Sequence, residues 1–195
     1  MQDNRMLDTP KSLQGIIADT EVLGFDMPSE PKTGALLKTL AASKPNGRFL
    51  EIGTGTGLST AWILAGMDSQ SSLCSVDNAP EVQQIARNHL GEDSRVDFIR
   101  TDAESWLINN QDQAFDLIFA DAWPGKFSRL DEALNLLALG GLYVIDDMLP
   151  QANWPEGHAP KVPALMEEIE NKEQFTSVRM AWASGLMLVT RVALA

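Results

Sequence analysis

The stretch Phe49-Leu50-Glu51-Ile52-Gly53-Thr54-Gly55-Thr56-Gly57 decides the fold: an apolar run of strand length passes into three alternating glycines and then into a helical pattern. A strand-to-helix turn that brings its backbone against a ligand needs dihedrals that a Cβ forbids, so glycine recurs there. Leu58, Ala61, Trp62 and Ala65 then fall at i, i+3, i+4 and i+7 and predict a helix with one apolar face for a sheet. A dinucleotide fingerprint would put its last glycine at position 58, which is Leu, so the spacing disfavours NAD. Glu51 sits near the carboxyl end of the strand, where it would attract a cationic ligand group and repel a pyrophosphate. A cofactor bearing an amino acid, such as S-adenosylmethionine, supplies that ammonium.

Outward from this loop, residues 72–77, 96–101, 115–121 and 141–146 read as strands separated by amphipathic helices. The helical faces are Val82, Ile85, Ala86, His89 and Leu90; Leu130, Ala133, Leu134 and Leu137; and Val162, Leu165, Met166 and Ile169. Alternation of this kind predicts an α/β fold with a doubly wound, mostly parallel sheet. Residues 175–182 and 186–192 are β-prone and separated only by Ala183-Ser184-Gly185, which adds an antiparallel C-terminal hairpin and brings the sheet to seven strands. Residues 13–23 and 33–42 look helical and precede the turn Lys44-Pro45-Asn46-Gly47. The expected organisation is one domain, with a helical N-terminal cover over 1–46 and a cofactor-binding core over 47–195.

The 195 residues carry 27 acids against 15 bases, a net charge of −12. That balance argues against a binder of the nucleic-acid backbone. The first 30 residues are broken by Asp3, Arg5, Asp8, Lys11, Asp19 and Glu21, and no apolar run approaches membrane length, so a cytoplasmic location with no membrane partner is expected. The lone Cys74 lies in an apolar strand and reads as a small buried hydrophobe. His89 reads as a core histidine, whereas His158 falls in a loop that either covers a substrate or lies on the surface.

Successive predicted strands end in acids: Glu51, Asp77, Asp102, Asp121 and Asp146. Ligands of open α/β sheets bind outside the carboxyl ends of the strands, and clustered carboxylates repel one another unless they bond a ligand or a cation. Asp77, 20 residues past Gly57, is placed to accept from two ribose hydroxyls. Asp102 either edges an adenine or caps the helix beginning at Ala103. Asp121 with the pair Asp146-Asp147 supplies enough oxygens for a hard divalent ion such as Mg²⁺.

With these residues in place, the chain resembles the class I S-adenosylmethionine-dependent methyltransferases, and within them the cation-dependent O-methyltransferases typified by catechol and caffeoyl-coenzyme A O-methyltransferases. The resemblance runs from about Thr33 to Met148 and rests on residues 49–57, Asp77, Thr101-Asp102-Ala103, residues 115–121 and residues 139–147. It implies that Glu51, Gly53, Thr54 and Ser59 hold the methionine part of the cofactor, with Gly55 also among the cofactor-binding residues. By the same analogy Asp77 holds the ribose, while Asn78, Ala103 and Trp123 meet the adenine beside Asp102 and Asp121. Thr33 touches the cofactor from the N-terminal side, and Asp121, Asp146 and Asp147 ligate the cation. The implied reaction methylates a hydroxyl of a small molecule, with Lys126 as general base beside Asp121, and family members often dimerise. Two positions depart from the family pattern. Lys126 lies five residues after Asp121 rather than three, and Asp147 stands where Asn is common. A non-catalytic adenosylmethionine-binding protein and an aminopropyltransferase-like enzyme are the rival readings. The tetrapeptide Asp121-Ala122-Trp123-Pro124 lacks the Pro-Pro-aromatic signature of methyltransferases that act on a flipped base.

Overall fold

The computed structural model describes residues 8–193. Strands β1 (Arg48–Ile52), β2 (Ser72–Asp77), β3 (Val96–Arg100), β4 (Phe115–Ala120) and β5 (Leu137–Ile145) run parallel. Strands β6 (Phe175–Met180) and β7 (Leu186–Arg191) form the hairpin, and β7 pairs antiparallel with β5. The sheet order is β3-β2-β1-β4-β5-β7-β6, so the winding reverses between β1 and β4 and opens a crevice above their carboxyl ends.

Side chains alternate along each strand and feed two cores. Leu50 and Ile52 of β1 pack with Trp106, Leu134 and Leu165, from helices α5 (Ala103–Asn109), α6 (Leu130–Asn135) and α7 (His158–Glu170). Phe49 faces the other way, toward Ile16, Leu37, Trp62 and Ile85 of α1 (Leu13–Leu23), α2 (Pro31–Ala42), α3 (Leu58–Gly66) and α4 (Pro80–Leu90). Proline opens both α2 and α4, where its missing N–H and fixed φ do no harm. Helices α1 and α2 pack on α3 and α4, and the segment between them is what reaches the carboxyl rim of the sheet.

Several local expectations change. Leu137 opens β5 rather than closing a helix, because α6 ends at Asn135 and Phe115 already pairs with Leu137 across a bulge. Helix α3 is buried on nearly every side, with only Ala65 of the predicted stripe exposed, because α1, α2 and α4 enclose it against the sheet. His89 is not a core residue: it is half-buried, with Nε2 2.6 Å from the Asp19 carboxylate of α1. Cys74 is also half-buried, and burial pushes its thiol up to about 12, which keeps it un-ionised.

Candidate active site

The glycine loop takes the conformation its sequence demands. Gly53 and Gly57 have φ of 100° and 93°. A Cβ on Gly53 would lie 2.7 Å from the Asp121 carbonyl oxygen, and one on Gly57 would lie 2.6 Å from the Ala86 Cβ. The first glycine therefore lets β1 turn beside the end of β4, and the last lets α3 start against α4.

Above the loop is a cavity of about 400 Å³, within the range of cofactor and small-molecule sites. Gly53, Thr54, Gly55 and Ser59 form one wall, Asp77 and Asn78 the next, and Asp121, Trp123 and Lys126 the third. The Asp77 carboxylate accepts from the Gly55 N–H at 2.9 Å through Oδ2 and from the Ala79 N–H at 2.8 Å through Oδ1. Each oxygen keeps acceptor capacity for a ligand hydroxyl. A neighbouring cavity of about 130 Å³ shares Asp121 and Asp147 with the first and adds Asp146, Asn153 and Ser184.

Four predicted cofactor residues lie outside the lining of the larger cavity. Asp102 caps α5, its Oδ2 accepting from the N–H and Oγ of Ser105 at 2.9 and 2.8 Å, so the capping alternative is the one the structure takes. Ala103 is buried in the core beneath that cap. Thr33 is fully buried in α2 with its Oγ1 unpartnered. Glu51 is fully buried beneath the loop; Thr60 and Ser75 both donate to its Oε2 at 2.5 Å, and its Oε1 has no partner within the chain. Burial pushes the Glu51 carboxyl up to about 7, against the opposing pull of the Ser59, Ser75 and Thr60 hydroxyls.

The acidic rim is crowded. Burial first, then the Asp121 charge, raise the Asp146 carboxyl to about 8. Asp121 itself is pushed up to about 6 by burial, with the Lys126 ammonium pulling the other way and Asp147 adding to the rise. Even so, among the described residues no group of three or more His, Cys, Asp or Glu side chains is arranged to hold a metal ion, although Asp121, Asp146 and Asp147 line the smaller cavity together. The Asp146 Oδ1 is already taken by the Ser184 hydroxyl and the Asp147 N–H, and Ser29 donates to the Asp121 Oδ2 at 3.1 Å.

Lys126 is 3% exposed, lines the larger cavity, and packs its Nζ 5.8 Å from the Phe127 ring centroid. The turn Trp123-Pro124-Gly125 folds back, with the Lys126 N–H on the Trp123 carbonyl, so the longer spacing from Asp121 still returns the lysine to the aspartate. His158 is buried rather than on the surface. It stacks on Trp154 at 4.2 Å, meets Phe127 edge-on and sets its Nε2 3.3 Å from the Asp147 carbonyl. Burial, then Lys126, lowers its pKa, which keeps the ring neutral. Phe25, Met27, Pro28 and Ser29 also line the cavities. Sequence reasoning missed them because this short loop has neither periodicity nor a motif.

A doubly wound sheet with this glycine loop, an aspartate ending β2 and a rim cavity is the arrangement of nucleoside-cofactor enzymes, among them the adenosyl-cofactor methyltransferases. Residues 50–148 match a family described as a methyltransferase domain. A relative from Mycobacteroides abscessus, provisionally named an O-methyltransferase, is 32% identical over 174 residues, covering 84% of this chain and 81% of its own. One from Mycolicibacterium vanbaalenii, with the same provisional name, is 35% identical over 171 residues, covering 83% and 76%. Among solved structures, the O-methyltransferase from Bacillus cereus in complex with S-adenosylhomocysteine superposes with a TM-score of 0.83 at 18% identity, covering 97% of this chain and 94% of that one. The O-methyltransferase TomG from Streptomyces achromogenes, in complex with S-adenosylmethionine and involved in tomaymycin synthesis, gives 0.82 at 20%, covering 98% and 94%. The chain belongs to the S-adenosylmethionine-dependent O-methyltransferases. Among the described residues no helix is long and apolar enough to cross a membrane.

Proposed function

We propose that the chain methylates a hydroxyl group of a small-molecule acceptor, with Lys126 as the general base. The observation that carries this reading is the single cavity lined both by the glycine loop with Asp77 and by Lys126 with Asp121. The residues fit an adenosyl cofactor: Asp77 keeps free acceptor capacity for the ribose, and the unpartnered Glu51 Oε1 suits an ammonium. Gly53, Thr54 and Ser59 would hold the amino-acid end, and Asn78 and Trp123 the adenine side. When bound, the cofactor supplies an electrophilic methyl group.

In its neutral amine form Lys126 takes the acceptor's hydroxyl proton, and the Asp121 carboxylate beside it holds the ammonium that forms. With the cofactor bound, the acceptor oxygen would take its methyl group, the O–CH₃ bond forming as the S–CH₃ bond breaks and S-adenosylhomocysteine leaving. The smaller cavity, which shares Asp121 and Asp147 in its lining with the first, suits the acceptor. No step is routed through a cation; among the described residues no group of three or more His, Cys, Asp or Glu is arranged to hold one. In a cation-assisted variant Asp146 would offer its Oδ2, since Ser184 and the Asp147 N–H both occupy Oδ1. Turnover in Mg²⁺ against turnover in a chelator tests this: equal rates fit the cation-free route, and loss in the chelator shows that a cation takes part.

The experiment for the main reading follows a labelled methyl group from S-adenosylmethionine into a panel of phenols, catechols and hydroxycarboxylates. Label in a hydroxyl of one class, with equimolar S-adenosylhomocysteine, is the result expected. Cofactor binding with no methyl product from any acceptor favours a non-catalytic binding protein instead.

A further inference from the structure

Gln83 is a fully buried glutamine on α4, away from the cavity wall, and its amide is committed in a defined direction. Its Nε2 donates to the Thr54 Oγ1 at 3.1 Å and to the Ile99 carbonyl at 3.2 Å, while its Oε1 accepts from the Arg87 Nε at 3.4 Å. Arg87 is fixed in turn by the Phe98 carbonyl, so the amide cannot flip without losing both ends. Thr54 Oγ1 lies 2.7 Å from Ser75 Oγ, and Ser75 donates to the Glu51 Oε2 at 2.5 Å. Because the Ser75 proton is spent on Glu51, Thr54 must donate to Ser75, and Thr54 can do so because Gln83 donates to it. Every arrow therefore runs from α4 toward one carboxylate. Aligned donors polarise one another and favour the charged acceptor.

We propose that Gln83 is a positioning residue for the cofactor's amino-acid end, acting through a one-way relay, Gln83 to Thr54 to Ser75, that keeps Glu51 charged for the cofactor's ammonium. The inference rests on the reading of Glu51 as the partner of that ammonium. The other groups facing Glu51 are the Ser59 and Thr60 hydroxyls of α3, the Asp121 charge past β4, and the Cys74 thiol of β2. Neither Asp121 nor an un-ionised Cys74 favours a second negative charge, so the relay and the α3 hydroxyls are what counter burial. The relay also accounts for a polar run, Thr54, Ser75 and Gln83, in a region otherwise packed with apolar side chains.

The test is calorimetric titration with S-adenosylhomocysteine across about pH 6 to 8, on the wild type and on Gln83→Met, Ser75→Ala and Glu51→Gln. Met keeps the volume of Gln without its donors, and Ser75→Ala cuts the same relay at a second link, so a folding defect in one leaves the other to decide. In the wild type, affinity rises with pH as Glu51 loses its proton and then levels off. Gln83→Met and Ser75→Ala move that midpoint upward and weaken binding about tenfold near neutrality, with recovery at higher pH. A variant weakened by one factor at every pH, or with the wild-type midpoint, overturns the relay. Glu51→Gln should bind weakly with no such midpoint. If instead it keeps the wild-type pH profile, the ammonium reading falls, and that failure appears in a different arm.

Discussion

Glu51 sets burial against charge, and this makes a stability prediction independent of catalysis. Its carboxyl stands at about 7 in the folded chain against an ordinary 4.5. Between those values the folded state binds more protons than the unfolded state, so this group's contribution is fully present below about pH 4.5 and is lost as pH rises through 7. At pH 8 the ionised, buried carboxylate costs on the order of 3 kcal/mol. Glu51→Gln should therefore raise stability at pH 8 and flatten its decline with pH, as read by urea melts at several pH values; a variant less stable than wild type at pH 8 contradicts the burial argument. Lys126→Ala should lower kcat by about 10²-fold or more while S-adenosylhomocysteine affinity stays near wild type, as separate kinetic and calorimetric runs would read. Asp77→Ala should do the reverse and weaken cofactor binding by about 1–3 kcal/mol, because ribose hydroxyls would lose their acceptors and Gly55 its anchor.

The junction of β1 and α3 depends on glycine more than on any side chain. Gly57→Ala should destabilise by about 2–4 kcal/mol, since it combines a left-handed φ with a Cβ driven into Ala86 of α4; a loss under about 1 kcal/mol would mean that α4 yields freely. This junction was legible in the sequence because its physics is local: glycine spacing, strand length and helical period suffice. The parallel strands and the terminal hairpin were legible for the same reason. The β5 start was not, because Leu137 continues the helical stripe of Leu130, Ala133 and Leu134 and is recruited to the sheet by pairing with Phe115. At the site, Asp77 and Asp121 were legible because strand ends point to the rim, whereas Lys126 was named only through the family resemblance. Asp102 was ambiguous because one short carboxylate serves equally as a cap or a ligand. The burial of His158 and the turning of Asp146 to Ser184 depend on contacts between distant segments, which no local pattern encodes.

Across the molecule, function and stability meet at the crevice between β1 and β4, where the winding reverses. The loop bearing Met27 and Ser29 on one side and the one bearing Asn153 on the other are joined over it by the Asn153 Nδ2 hydrogen bond to the Asp26 carbonyl at 2.8 Å. Ligand in the crevice should thus stabilise the fold by mass action, about 2.7 kcal/mol at a hundredfold excess over Kd, which raises Tm by about 5–10 °C for a chain of this size. The most direct measurement of the central claim is calorimetric titration of the purified chain with S-adenosylhomocysteine, with Asp77→Ala alongside. Micromolar binding at one site per chain, weakened in the variant, is the result predicted. No heat of binding in a folded wild type, or equal binding in Asp77→Ala, would contradict the placement of the adenosyl cofactor in this cavity.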